Sequence, residues 1–218
     1  MYRVTIMRDK KYLDIVSHYE SCLRRHDDTH LGVDWPKKSD TNIRYQVMLE
    51  VIKRQADPAR SKTTLLDFGC GASHLYEYIV ARRMDRISYS GLDLSKKFVD
   101  LSKSKFPTIN YYCVDLLGEG ATIPAFDYIV MNGVFTEKCT LSFDEMLSYF
   151  KGLVKKVFGY AKIGIAFNVM SKQVDWERND LFHLPFDMLA SFLTCEVSRS
   201  FIIRQDYGLY EYTTYVYR

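Results

Sequence analysis

From Lys62 onward the chain alternates short apolar runs with amphipathic ones, and nothing else in it restricts the fold so strongly. "TTLLDFG", "ISYSGLDL", "INYYCVDL", "FDYIVMNGVF" and "AKIGIAFNVM" read as strands, while "SHLYEYIVARR", "SKKFVDLSKSKF" and "SFDEMLSYFKGLVKKVF" between them read as helices. The fourth apolar run is unbroken, as a strand is when helices cover both its faces. In the longest helix Ser142 and Glu145 have capping-box spacing. Phe143, Met146, Leu147, Phe150, Leu153, Val154 and Val157 fall on one side of it. "LPFDMLASFL" adds a helix with Pro185 in its first turn, and "SRSFIIRQDY" with "LYEYTTYVYR" reads as an antiparallel hairpin. This order predicts an α/β fold: a Rossmann-like, doubly wound, seven-stranded sheet closed by an antiparallel hairpin. Its ligand crevice should lie at the carboxyl ends of the strands.

The preceding residues are helical in rhythm. Tyr12, Ile15, Val16, Tyr19, Cys22 and Leu23 form one stripe. A loop with Gly32 and Pro36 follows, then a second helix that Asp40 or Thr41 can cap. No shift of composition separates the two parts, and 218 residues suit one domain with a full core. The expectation is therefore a single domain over 1–218, with residues 1–60 as a helical lid or extension and 62–218 as the core.

The turn after the first strand, "LLDFGCGASHLYEYI" (residues 65–79), carries the chemistry. A phosphate-binding P-loop needs GxxxxGK[ST], and the required lysine is missing. A dinucleotide fingerprint needs GxGxxG, where Gly69 and Gly71 fit but His74 stands at the third position. That histidine argues against a nicotinamide or flavin site. What remains is an acidic residue, Asp67, two positions ahead of the first glycine.

"LLDFGCGAS" resembles the first motif of the class I S-adenosylmethionine-dependent methyltransferases, and the later strand ends resemble the next three in order. "YSGLDLS" is similar to the second, "YYCVDLL" to the third and "FDYIVMNGVF" to the fourth. The resemblance spans about Lys62 to Arg218 and implies S-adenosylmethionine as cofactor. It implies that Asp67, Gly69, Cys70 and Gly71 bind the cofactor, with Asp93 as ligand of the ribose hydroxyls and Leu94 among the cofactor-binding residues. Asp115 would face the adenine amino group with Leu116 beside the ring, and Asn132 and Gly133 would run along the cofactor. Gly69 and Gly71 let backbone approach without a Cβ, and a carboxylate at Asp93 can accept two hydroxyl hydrogen bonds. The motif's third glycine is Ser73 here, which is small and can cap a helix. That departure keeps open a non-catalytic S-adenosylmethionine-binding regulatory protein of the same fold.

The acceptor side of such folds comes from the N-terminal helices and the segments after the fourth and fifth strands. His183 is the first candidate for a general base and Glu137 the second. Tyr19 and Arg44 could reach the methionine end of the cofactor. Trp35 could cover the substrate, His18, His26 and His30 belong to the lid, and His74 supports the cofactor helix. "MNGVF" stands where nucleic-acid base and glutamine methyltransferases carry Asn- or Asp-Pro-Pro-Tyr. A small-molecule acceptor, methylated at oxygen, is therefore the expected function.

Net charge of +3 is mild, and the basic pairs are scattered, so nucleic acid is not an expected partner. Five cysteines without paired spacing give no metal signature and suit free thiols in a reducing compartment. "MYRVTIMRDKKYLD" has too short an apolar run for a signal peptide, and no run reaches the length of a membrane span. The expected location is the cytoplasm.

Overall fold

A computed structural model describes residues 10–52 and 62–218. Two helices, α1 (Leu13–His26) and α2 (Lys38–Leu49), precede the sheet. The sheet contains β1 (Thr63–Phe68), β2 (Ile87–Leu92), β3 (Asn110–Tyr112), β4 (Phe126–Phe135), β5 (Ala161–Ser171), β7 (Phe201–Arg204) and β8 (Glu211–Tyr217), with a two-residue β6 (His183–Leu184) beside β5. Helices α3 (His74–Ala81), α4 (Lys96–Lys105), α5 (Phe143–Tyr160) and α6 (Phe186–Glu196) connect them. The strand order is β3-β2-β1-β4-β5-β8-β7, parallel as far as β5. β8 pairs with β5 and β7 in the antiparallel sense. The expected seven strands thus form one path, and β6 is the addition.

Alternating strand residues divide the core into two layers. Leu66, Phe68, Ile129, Met131, Ile165 and Phe167 pack with Met146, Phe150, Leu153 and Val157 of α5 and Leu189 of α6. Their sequence neighbours Leu65, Tyr128, Val130 and Ala166 pack on the other face with Val47 and Met48 of α2 and Leu75 and Ile79 of α3. Period-two side chains between two helix layers explain why these runs are apolar throughout.

The local signals vary in how they are used. Ser142 and Glu145 complete the capping box. Helix α2 begins before Asp40, at Lys38, without a side-chain cap. Ser73 sits at the N-cap of α3 but does not cap it. Its hydroxyl meets Ser102 and Tyr111 at 2.8 and 2.9 Å, and its backbone takes the left-handed conformation (φ 61°). A residue in that conformation is where the motif's glycine would stand, so the serine is held by tertiary hydrogen bonds in a shape glycine takes freely.

Candidate active site

The carboxyl ends of β1, β2 and β4 open into one cleft, roofed by α1 and the loop after it. Asp67, Gly69, Cys70, Gly71, Asp93, Leu94, Asn132, Gly133 and Tyr19 all line it, as expected. The rings of Tyr12, Trp35, Tyr45 and Tyr149, from four separate segments, line it as well. No local pattern marked Tyr12, Tyr45 or Tyr149 as site residues, because helix rhythm explains each as core.

The turn after β1 is built around its glycines. Gly69 has φ 75°, and a Cβ there would lie 2.6 Å from the Val134 side chain. Its N–H and that of Cys70 both donate to the Leu92 carbonyl, tying the turn to β2. Asp93 at the end of β2 accepts from the Gly71 N–H at 2.9 Å and the Ser95 N–H at 2.8 Å. Burial raises its carboxyl to about 6, against those donors. Asp67 is almost fully buried and accepts from the Tyr89 hydroxyl at 2.8 Å. Burial is the main cause that lifts it to about 7, with Asp93 adding to the rise.

The position of Asp67 has a measurable consequence. The folded protein holds its proton more tightly than an unfolded chain does, so the stability contributed there is fully present below about pH 4 and is lost as pH rises through about 7. The urea midpoint of the ligand-free protein is expected to fall between about pH 5 and pH 8. Asp67→Asn should flatten that fall, and an unaltered slope in the variant would place its origin elsewhere.

On β4, both polar atoms of the Asn132 side chain are buried without a hydrogen-bond partner, in the wall of the cleft. An orphaned amide of this kind is costly unless a ligand completes it. The next residue is anchored from behind by a buried relay. The Gly133 N–H donates to Asn168 Oδ1 at 2.8 Å, Asn168 donates to Glu211 at 2.8 Å, and Arg44 donates to Glu211 at 2.9 Å. The Tyr19 hydroxyl donates to the Gly133 carbonyl at 3.1 Å.

Several expected residues fall outside the cleft wall. Arg44 faces Glu211 and the Trp35 ring, and it bears on the site through the relay. Asp115 accepts from Lys10, Tyr12 and the Leu117 N–H. It meets the cleft through the Tyr12 hydroxyl, and these donors hold it below the usual carboxylate range against the cost of burial. Leu116 is buried in the core. His183 is buried away from the cleft, with its Nδ1–H donating to the Ser171 carbonyl at 2.7 Å. The Arg178 N–H points at its other nitrogen from 3.5 Å.

Glu137 is also absent from the cleft wall and lies just beyond it. It is bridged to Leu181, and its carboxyl has one oxygen, Oε2, buried with no partner. Burial, then the charge of Asp34, raise that carboxyl to about 7, while Arg178 and His18 pull it down. His18 shares a 2.7 Å hydrogen bond with Asp34 and lies 3.8 Å from the Cys22 sulfur. His74 lines the cleft and is paired with Asp28 at 2.7 Å. The backbone carbonyls of His26 and His30 close the loop after α1, by accepting from the Thr29 hydroxyl and the Trp35 N–H.

A doubly wound sheet with its last strand reversed, and a cleft holding acidic residues at successive strand ends, are features of the class I methyltransferase fold. Residues 66–156 match the profile of the methyltransferase-domain family. The Mycobacterium tuberculosis (strain ATCC 25618 / H37Rv) protein "Putative methyltransferase Rv1506c" is 27% identical over 172 residues, covering 76% of this chain and 96% of its own. Among solved structures, the magnesium protoporphyrin IX methyltransferase of Synechocystis PCC 6803 with bound S-adenosylmethionine aligns over 97% of this chain and 99% of its own. Its TM-score is 0.64 at 14% identity. CalS10, an amino pentose methyltransferase from Micromonospora echinaspora, aligns over 92% and 96% with a TM-score of 0.57 at 12% identity. The chain thus carries a match to a methyltransferase domain and shares its fold with S-adenosylmethionine-dependent methyltransferases. Among the described residues, no helix is long and apolar enough to cross a membrane.

Proposed function

We propose that the protein transfers the methyl group of S-adenosylmethionine to an oxygen of a small-molecule acceptor. The observation that carries this reading is the convergence of Asp67, Asp93 and the bare Asn132 amide at three neighbouring strand ends in one cleft. The family's cofactor fits these residues. Asp93 would offer lone pairs to the ribose hydroxyls, Gly69 and Gly71 would leave room for close backbone approach, and the bare Asn132 amide would find partners on it. Asp67 would set a buried carboxyl group beside the glycine turn that holds it. When bound, the cofactor supplies an electrophilic methyl group on a sulfonium.

The chain's own residues position and shield. Tyr12, Tyr19 and Trp35 close the cleft from the side of α1, limit the acceptor's size and exclude water. Residues 10–52 thus act as the lid of a single unit. The Tyr19 hydroxyl donates to Gly133 and keeps lone pairs that can accept from an acceptor hydroxyl and orient it. His183 and Glu137 lie off the cleft wall, so we favour an acceptor that ionises readily, such as a phenol or enol, over a simple alcohol. The named activities of the solved neighbours, on a magnesium porphyrin and an amino pentose, support a small acceptor.

The test is transfer of labelled methyl from S-adenosylmethionine to a panel of phenols, enols, alcohols, carboxylic acids and amines. Label is expected in the phenols or enols. Transfer confined to amines would overturn the choice of oxygen. Binding of S-adenosylhomocysteine with no transfer to any compound or extract would favour the non-catalytic reading.

A further inference from the structure

Beside Tyr19, whose ring the His18 ring meets edge-on, three donor side chains meet that the reaction does not use, and a fourth, Glu137, lies within their electrostatic reach. His18 and Cys22 lie one turn apart on α1, so both point the same way. Asp34 arrives from the following loop, its backbone in the left-handed region (φ 58°), and its carboxylate meets His18 Nε2 at 2.7 Å. The His18 Nε2, the Cys22 sulfur and an Asp34 oxygen all lie within 4.8 Å of one another. Glu137, from the exit of β4, is 95% buried with its Oε2 unpartnered, and it is coupled electrostatically to Asp34, His18 and Cys22.

We propose that His18, Cys22, Asp34 and Glu137 form a binding site for a zinc-class divalent cation. The donor set of one thiolate, one imidazole and two carboxylates suits zinc, and hard cations that want oxygen alone would reject the sulfur. Zinc–ligand bonds of roughly 2.0–2.3 Å in a tetrahedron place donor atoms roughly 3.3–3.7 Å apart. The 3.8 Å between His18 and Cys22 lies just above that spacing. The 2.7 Å between His18 and Asp34 must open by roughly half an ångström, because the cation replaces the proton they share. Binding also displaces the Cys22 thiol proton; His18 ligates through Nε2 as a neutral imidazole with its one proton on Nδ1, so an imidazolium releases its Nε2 proton and a neutral Nε2–H ring moves that proton to Nδ1. Three anionic ligands exceed the cation's charge by one. The Arg25 guanidinium, 3.4 Å from the Cys22 sulfur, offsets that excess.

The site joins α1, its following loop and the exit of β4, the three pieces around Tyr19. An ion there fastens the cover of the cleft at the point where Tyr19 meets Gly133. The cysteine spacing gave no hint of this, because two ligands are a helical turn apart, one lies in the loop after that helix and one comes from the exit of β4.

The full chain, stripped by a chelator and free of any cofactor, is titrated with Zn²⁺ and separately with Co²⁺. One equivalent of each is expected to bind, and the Co²⁺ form should show a thiolate-to-cobalt charge-transfer band. Cys22→Ser should remove that band and weaken Zn²⁺ binding by about 100-fold or more, beyond the loss typical of residues that merely support a ligand. Glu137→Gln should weaken it by roughly 10-fold. Cys113→Ser, at an exposed thiol elsewhere, should change neither. If Cys22→Ser fails to fold, His18→Gln, at a partly exposed position, is expected to lose Zn²⁺ binding in its place. Absence of saturable Zn²⁺ uptake by the folded chain, or a band that survives Cys22→Ser, would overturn the proposal. Calorimetry with S-adenosylhomocysteine on the same stripped protein reports the cofactor site independently.

Discussion

Asp93→Ala is expected to reduce S-adenosylhomocysteine binding below detection by calorimetry. A carboxylate accepting two ribose hydroxyls contributes hydrogen bonds of about 1.5–3 kcal/mol each, so their loss amounts to about 100-fold to 10,000-fold in affinity. The same carboxylate accepts from the Gly71 and Ser95 N–H groups, so the variant also leaves those donors unpaired beside the cradle. Asp93→Asn separates the two effects. It keeps the shape and one acceptor oxygen but loses the charge, and should lie between wild type and alanine in affinity. Thermal unfolding of each variant shows whether the fold is intact. A folded Asp93→Ala protein that binds with unaltered affinity would move the ribose site elsewhere.

Phe150→Ala carries the largest expected cost to stability. Phe150 is fully buried at the centre of the α5 layer. Its ring lies 4.8 Å from that of Phe135, 5.4 Å from Phe167, 5.7 Å from Phe192 and 5.9 Å from Phe182. These partners come from two strands, a helix and the segment before β6, so a cavity there cannot close by the shift of one neighbour. Truncating a buried phenylalanine costs about 3–5 kcal/mol, and Phe150→Leu should recover part of it. The urea midpoint should fall with its slope unchanged, while the folded fraction binds S-adenosylhomocysteine as wild type does. A loss under about 1 kcal/mol would show that the layer repacks.

The fold was legible because its signals are local. A continuous apolar run between helical rhythms has few readings besides a doubly wound sheet, and the capping box at Ser142 announces its helix. That the glycine turn and Asp93 line the cleft was legible for the same reason, since the turn and the strand ends are contiguous in sequence. What stayed hidden depends on contacts between distant segments. Ser73 looked like a cap, but its hydroxyl is taken by Ser102 and Tyr111. Asp115 suited a loop next to adenine, yet Lys10 and Tyr12 reach it from the other end of the chain. His183 stands where a base could stand, but β6 pairs with β5 and turns its Nδ1 to the Ser171 carbonyl. Tyr12, Tyr45 and Tyr149 were hidden because a ring on a helix face reads the same whether it meets core or cleft.

The buried relay behind Gly133 bears on how the protein acquires its cleft. Gly133 is oriented by Asn168 on β5, and Asn168 is in turn held by Glu211 at the start of β8. β8 comes after every other strand in chain order, yet it is threaded into the sheet between β5 and β7. A growing polypeptide can therefore form the glycine turn and its two aspartates early, from neighbouring segments. The wall carrying Asn132 and Gly133 gains its final orientation only after β8 has been synthesised and paired, through long-range contacts that are slow to form. The relay that orients Gly133 is therefore complete only once the last strand in chain order has paired.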